Sequence, residues 1–142
     1  MIEFNNTNDF ELENAESVSA WLHQVIVEEK KELGELNYIF CDDDYLHKMN
    51  VEFLDHDTLT DVISFDYTEG IVISGDVYIS TERVADNAKD FKVSFSDELH
   101  RVMVHGVLHY CGYKDKTDKD QDVMTEKENY YLDKRDVINC ST

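Results

Sequence analysis

The sequence predicts a mixed α/β (α+β) fold, a small sheet of about four strands packed with about five helices. Two observations carry this. Apolar residues switch along the chain between a helical 3.6-residue stripe and short β-rich runs. The resulting order, β-α-β-α-β-β-α-α-α, lacks the strict alternation of a doubly wound sheet. The 142 residues contain no proline and only five glycines, so no low-complexity linker divides them, and 1–142 reads as one domain.

The elements follow in order. Met1–Asn5 reads as a short strand. Asn14 can cap a helix whose stripe is Val18, Trp21, Leu22, Val25 and Ile26, with Gly34 as its C-terminal stop. Leu36–Cys41 reads as a strand, and Asp42-Asp43-Asp44 as the cap and first turn of a helix through Tyr45, Leu46, Met49 and Phe53. Asp61–Tyr67 and Ile71–Ser80 form a hairpin around Thr68-Glu69-Gly70. Thr81 opens a helix with Val84, Ala85, Ala88 and Phe91 on one face. Ser94 and Asp97 fit a capping box for the next, which buries Leu99, Val102, Met103 and Gly106 and stops at Gly112. A polar stretch, Lys114–Gln121, leads to a last helix through Val123, Met124, Tyr130 and Tyr131.

Composition narrows the function. Thirteen Lys+Arg against 32 Asp+Glu give a net charge of −19. Such a surface repels phosphate backbones at long range and weighs against gripping nucleic acid through a broad basic face. Most of these carboxylates need only be a solvated acidic surface. Cys41, Cys111 and Cys140 are odd in number and scattered, which argues against a disulfide framework or a cysteine zinc knuckle. With no run near the ~20 apolar residues that span a bilayer and no signal-peptide pattern at Met1–Asn6, a reducing cytoplasm is the expected location.

The chemistry concentrates in His105-Gly106-Val107-Leu108-His109-Tyr110-Cys111-Gly112-Tyr113-Lys114-Asp115. Residues i and i+4 of a helix differ by about 40° in direction, so both imidazoles leave one face. Two such nitrogens can hold one zinc ion at roughly 2.0–2.1 Å, and a third ligand must come from elsewhere. Gly112 permits a reversal that folds Asp115 over the same face, completing H-x3-H-x5-D and leaving a fourth position open to water. A bare H-x3-H arises often by chance; the glycine stop and the spaced carboxylate favour a metal. His23, His47, His56 and His100 lack such a setting and read as surface or structural. The protease form of this helix, H-E-x-x-H, carries a glutamate as general base where this chain has Gly106. Glycine takes no proton from water, so peptide hydrolysis by that route is disfavoured and a phosphodiester fits better.

Three blocks resemble, in order, the motifs of the YbeY family of ribosomal-RNA maturation factors, metal-dependent single-strand endoribonucleases. They are Thr60-Asp61-Val62-Ile63-Ser64-Phe65, Gly75-Asp76-Val77-Tyr78-Ile79-Ser80, and His105-Gly106-x-Leu108-His109-x-x-Gly112-Tyr113, within a similarity running from Ile2 to about Arg135. The resemblance implies a zincin-like fold, one Zn2+ ion and a single-stranded or ribosomal RNA substrate. It also implies work in small-subunit rRNA processing and ribosome assembly or quality control, with ribosomal proteins or an assembly GTPase as partners. The chain departs from the family twice. Asp115 stands where the family carries a histidine as third ligand; a carboxylate also ligates zinc but adds negative charge. Phe53-Leu54 stands where many members have an aromatic followed by an arginine that engages RNA, and Leu54 cannot contact a phosphate.

RNA contact then falls to Arg101, one turn before His105, or to Lys114, Lys116 and Lys119, which otherwise belong to a solvated loop. Asp76 matches a family aspartate and is either a general base or a cap at the strand end. Ser64 and Asp61 read as hydrogen-bonding and turn residues, Cys111 as a buried thiol. Two other functions stay open: a non-catalytic ribosome-assembly binding factor with a structural metal, and a zincin-type peptidase.

Overall fold

The computed structural model of the chain describes residues 1–54 and 60–140, without the side chains of 54 and 136–140; His56 and the Leu54 side chain therefore lie outside the described residues. The elements are β1 (Ile2–Asn6), α1 (Ala15–Glu28), β2 (Glu32–Cys41), α2 (Asp43–Leu54), β3 (Val62–Asp66), β4 (Val72–Ser80), α3 (Thr81–Phe91), α4 (Phe95–Tyr110) and α5 (Asp118–Cys140). This is the order read from the sequence, and the fold is the expected mixture of a small sheet and five helices.

The sheet runs β1-β2-β4-β3, with β1, β2 and β4 parallel and β3 antiparallel on β4. Register pairs Leu36 with Gly75, Tyr38 with Val77 and Phe40 with Ile79. Because side chains alternate along a strand, these residues share one face of the sheet. That face is covered by α1 and α4, and α5 packs on both of those helices. The stripe Val18, Trp21, Leu22, Val25 and Ile26 of α1 is buried there with Leu99, Met103 and Val107 of α4. Each such side chain contributes about 1.5–3 kcal/mol by leaving water. Two buried side chains find partners across elements: the Trp21 indole donates to Tyr131 O at 2.8 Å and the Tyr38 hydroxyl to Met103 O at 2.8 Å. The opposite face is partly covered by α2, whose Leu46 and Met49 pack with Cys41, Ile63, Phe65 and Tyr78.

Several local expectations change in detail. Asn14 occupies the N-cap of α1 but in the left-handed conformation (φ 56°), and its side chain makes no cap bond; asparagine tolerates that region. Gly34 does not stop α1, which ends at Glu28, but lies inside β2 at a register shift. A Cβ there would collide with the Ser74 hydroxyl and come within 2.8 Å of Val72 Cγ1, so close strand approach explains the glycine. Helix α5 begins at Asp118, inside the stretch read as polar loop, because the Thr117 hydroxyl accepts the Asp120 N–H at 3.0 Å. Phe91, assigned to the buried face of α3, is exposed. Asp42 and Ser94 do cap α2 and α4, accepting the N–H of Tyr45 at 2.8 Å and of Asp97 at 3.1 Å.

His100 of α4 lies between the Trp21 ring and Arg135, which donates to its Nδ1 at 2.8 Å. Burial, then the Arg135 charge, push its pKa down from 6.5 to about 4. The folded state keeps this ring neutral where the unfolded chain would protonate it. Its contribution is therefore complete above pH 6.5 and declines as pH falls from 6.5 towards 4. His100→Gln, which keeps an acceptor for Arg135, should flatten the loss of stability in that window by on the order of 1–2 kcal/mol. Denaturant titration of both proteins from pH 7 to 4 measures the difference; parallel curves would contradict the assignment.

Candidate metal centre

Helix α4 carries both histidines one turn apart, and the chain reverses after it. Cys111 caps the helix and Gly112 is left-handed (φ 111°). The Gly112 N–H donates to His109 O and the Tyr113 N–H to Leu108 O, both at 3.0 Å, closing a Schellman motif. The reversal brings Asp115 Oδ2 to 3.5 Å from His105 Nε2 and 3.3 Å from His109 Nε2, and the two Nε2 atoms are 2.9 Å apart. The three residues read from the sequence as ligands thus converge, all partly exposed.

Hydrogen bonds behind the rings fix which nitrogen faces the site. His109 Nδ1 lies 3.0 Å from Tyr113 O, and a carbonyl only accepts, so this nitrogen carries the proton. His105 Nδ1 lies 2.6 Å from Glu128 Oε2 and donates to that carboxylate. With both rings neutral, each therefore turns a bare Nε2 lone pair inward. Two lone pairs and a carboxylate oxygen at these distances repel unless a cation or proton lies among them. A tetrahedral ion with bonds of about 2.0–2.2 Å separates its ligand atoms by roughly 3.3–3.6 Å. Two edges of the triangle match, and the histidine pair needs to open only slightly. The donor set fits a divalent cation of the zinc class.

Electrostatics act in the same direction. Burial opposes charge on His105, but the hydrogen bond and charge of Glu128, with Asp115 and Asp61 beyond, outweigh it and hold its pKa above the ordinary range. The site attracts positive charge, and protons compete with a metal for it as pH falls. Burial pushes the Cys111 thiol up to about 11, so it stays a neutral neighbour. A Cβ on Gly106 would point at Val77 Cγ2, 3.4 Å away on β4, so position 106 faces the sheet.

The remaining candidates are placed differently. Asp76 is not brought to the triad: it pairs with Asn37 in register, accepts from Asn37 Nδ2 at 3.0 Å, and projects from the sheet face opposite α4. Alternation along β4 puts Val77 against the helix and Asp76 away from it. Arg101 does lie one turn before His105, but its guanidinium donates to Glu128 Oε1 at 2.8 Å and Asn129 Oδ1 at 2.6 Å and so braces the carboxylate behind His105. Lys114, Lys116 and Lys119 are exposed around Asp115. His23 is exposed and His47 half-buried, and neither belongs to a metal-ligating cluster among the described residues. A groove of about 890 Å³ beside Arg101 and Glu128 is lined by Asp97, Glu98 and Asp133 with Arg135, a poor cradle for phosphate.

Glu128 is the partner of His105 that the motif does not contain. Its signal is a glutamate, 7% exposed, on the buried stripe of α5 between Met124 and Tyr131. The Tyr113 carbonyl has no side-chain signal. Glu128→Gln should weaken zinc binding about tenfold by loosening His105, as read by chelator competition; an unchanged affinity would remove Glu128 from the site.

The family model described as Endoribonuclease YbeY matches residues 2–136. Endoribonuclease YbeY of Flavobacterium johnsoniae is 63% identical over 129 residues, covering 91% of this chain and 93% of that protein. The same-named protein of Christiangramia forsetii is 51% identical, with 89% of each chain covered. The solution structure of TM1509 from Thermotoga maritima matches with a TM-score of 0.71 at 27% identity, covering 95% of this chain and 89% of that one. A family match over nearly the whole length and relatives of this identity agree with the fold and the histidine helix: the chain belongs to the YbeY endoribonuclease family.

Proposed function

We propose that the chain is a zinc-dependent, single-strand-specific endoribonuclease that trims small-subunit ribosomal RNA during ribosome assembly. Family membership makes it a nuclease, a hydrolase of RNA phosphodiesters. The observation that carries the metal reading is the convergence of His105, His109 and Asp115 with both Nδ1 hydrogens committed elsewhere.

These three residues would hold the ion. When bound, it supplies Lewis acidity for a phosphoryl oxygen and lowers the pKa of water. The protein's own groups do the rest. Glu128 and the Tyr113 carbonyl keep the imidazoles aimed, and Asp115 places a negative charge beside them. The exposed ammonium groups of Lys114 and Lys116 flank Asp115 in sequence and serve as point charges for phosphates next to the scissile bond. Arg101 serves mainly to hold Glu128. With no side chain at Gly106 to take a proton, the reading favours a phosphodiester over a peptide.

A second reading, an assembly factor whose metal is structural, is favoured by one observation, the net charge of −19. The two share a partner class. An acidic surface suits basic ribosomal proteins better than naked RNA, so the substrate is best presented within a ribosomal particle in the cytoplasm, with an assembly GTPase as a further partner. No helix among the described residues is long and apolar enough to cross a membrane.

Purified protein should cleave single-stranded RNA, lose this activity to a chelator, and regain it with zinc. His105→Ala and His109→Ala should each reduce cleavage by about 100-fold or more by deleting a ligand. Full cleavage by both variants would contradict the proposal, whereas bound zinc without cleavage in the wild type would favour the structural reading. Lys114→Gln with Lys116→Gln should raise KM several-fold and leave zinc content unchanged; an unaltered KM would remove these lysines from the RNA path.

A further inference from the structure

Glu29 caps the C-terminus of α1, far from the metal centre in sequence, and its side chain is only 12% exposed. Its carboxylate gathers three donors. The Tyr113 hydroxyl donates at 2.7 Å, the Tyr131 hydroxyl donates to the other oxygen, and Lys127 Nζ lies 3.4 Å from that same oxygen. The Lys127 ammonium in turn lies beside three aromatic rings, 5.7 Å from the Tyr113 ring centroid, 5.8 Å from Tyr130 and 6.0 Å from Tyr131. Burial pushes the Glu29 carboxyl up, and the two tyrosines and Lys127 outweigh it and hold it ionised, its pKa below the ordinary value.

Tyr113 stands at both ends of this arrangement. Its ring and hydroxyl belong to the Glu29 network, while its backbone belongs to the metal centre: the N–H closes the Schellman motif, and the carbonyl accepts the His109 Nδ1 proton. Asp115 follows two residues later. Helix α5 supports the two imidazoles from neighbouring positions. Glu128 holds His105 directly, whereas Lys127 and Tyr131 hold Glu29, which holds Tyr113, which holds His109.

We propose that Glu29 is a positioning residue for the metal centre, fixing through the Tyr113 hydroxyl the loop carbonyl that sets the His109 tautomer and the approach of Asp115. Its consequence for metal binding rests on the reading of His105, His109 and Asp115 as cation ligands; its consequence for the tautomer does not. A tyrosine tethered at its ring tip holds its Cα and the turn around it in place, and the charge-assisted hydrogen bond of this half-buried site resists their displacement. Free of that tether, the 112–115 segment samples other peptide orientations, and His109 loses the acceptor that keeps Nε2 bare.

The test uses Tyr113→Phe, which keeps the ring and deletes the hydroxyl, and Glu29→Gln, which keeps the shape and deletes the charge. Imidazole 15N spectra of the metal-free proteins read the tautomer, chelator competition reads zinc affinity, and thermal melts read stability. Wild-type His109 should show one Nδ1–H tautomer. Each variant should show a mixture, bind zinc about 3–10-fold more weakly, and add little to the other in the double variant because both break one relay. If Glu29→Gln fails to fold, Tyr113→Phe decides alone. A tautomer and affinity untouched in a folded Tyr113→Phe overturn the proposal, even with a lowered melting temperature, since that pattern marks a purely structural contact. Tautomers that loosen in a protein whose wild type binds no zinc support the relay and overturn the metal reading.

Discussion

The geometry of the candidate metal centre depends on two hydrogen bonds, from His105 Nδ1 to Glu128 and from His109 Nδ1 to the Tyr113 carbonyl. They commit one nitrogen of each ring and, with both rings neutral, leave the other bare, facing its neighbour across 2.9 Å with a carboxylate alongside. Such an arrangement is electrostatically unfavourable alone and becomes favourable around a cation. The two tethers come from different parts of the chain, which is why the helix bearing the motif is not sufficient. Glu128 needs α5 packed beside α4, and the Tyr113 carbonyl needs the Gly112 reversal. The sheet supplies the floor through Val77, which position 106 faces.

The charge of the molecule explains how the site must be used. At −19 the protein repels a polyanion at a distance, and the arginine nearest the centre is occupied with Glu128 and Asn129. On the proposed function, affinity for RNA arises at short range, from the cation and the exposed lysines around Asp115, or from a basic partner that delivers the substrate. Screening by salt weakens the repulsion as well as the attraction.

Much of this was legible in the sequence because the relevant signals are local. The order of the nine elements among the described residues follows from apolar period, and the three converging residues follow from i, i+4 geometry and a glycine two residues past the end of the helix. What was missed depends on tertiary contact. Gly34 looks like a helix stop and is instead a point of close strand approach to Ser74 and Val72. Asp76 shares a motif with Val77, yet strand alternation sends the two to opposite faces, and no motif states which face meets α4. Arg101 reads as free cation until α5 delivers Glu128 beside it. Glu128 itself left a trace, an acid on an apolar stripe; the Tyr113 carbonyl left none, because backbone acceptors are invisible in sequence.

The central claim, that one cation is held by two imidazoles and one carboxylate, is tested most directly by X-ray absorption at the zinc edge of the stoichiometrically loaded protein. The account predicts a first shell of two imidazole nitrogens at about 2.0–2.1 Å with oxygen at about 2.0–2.2 Å and no sulfur. A sulfur shell at about 2.3 Å, or one histidine instead of two, would contradict it.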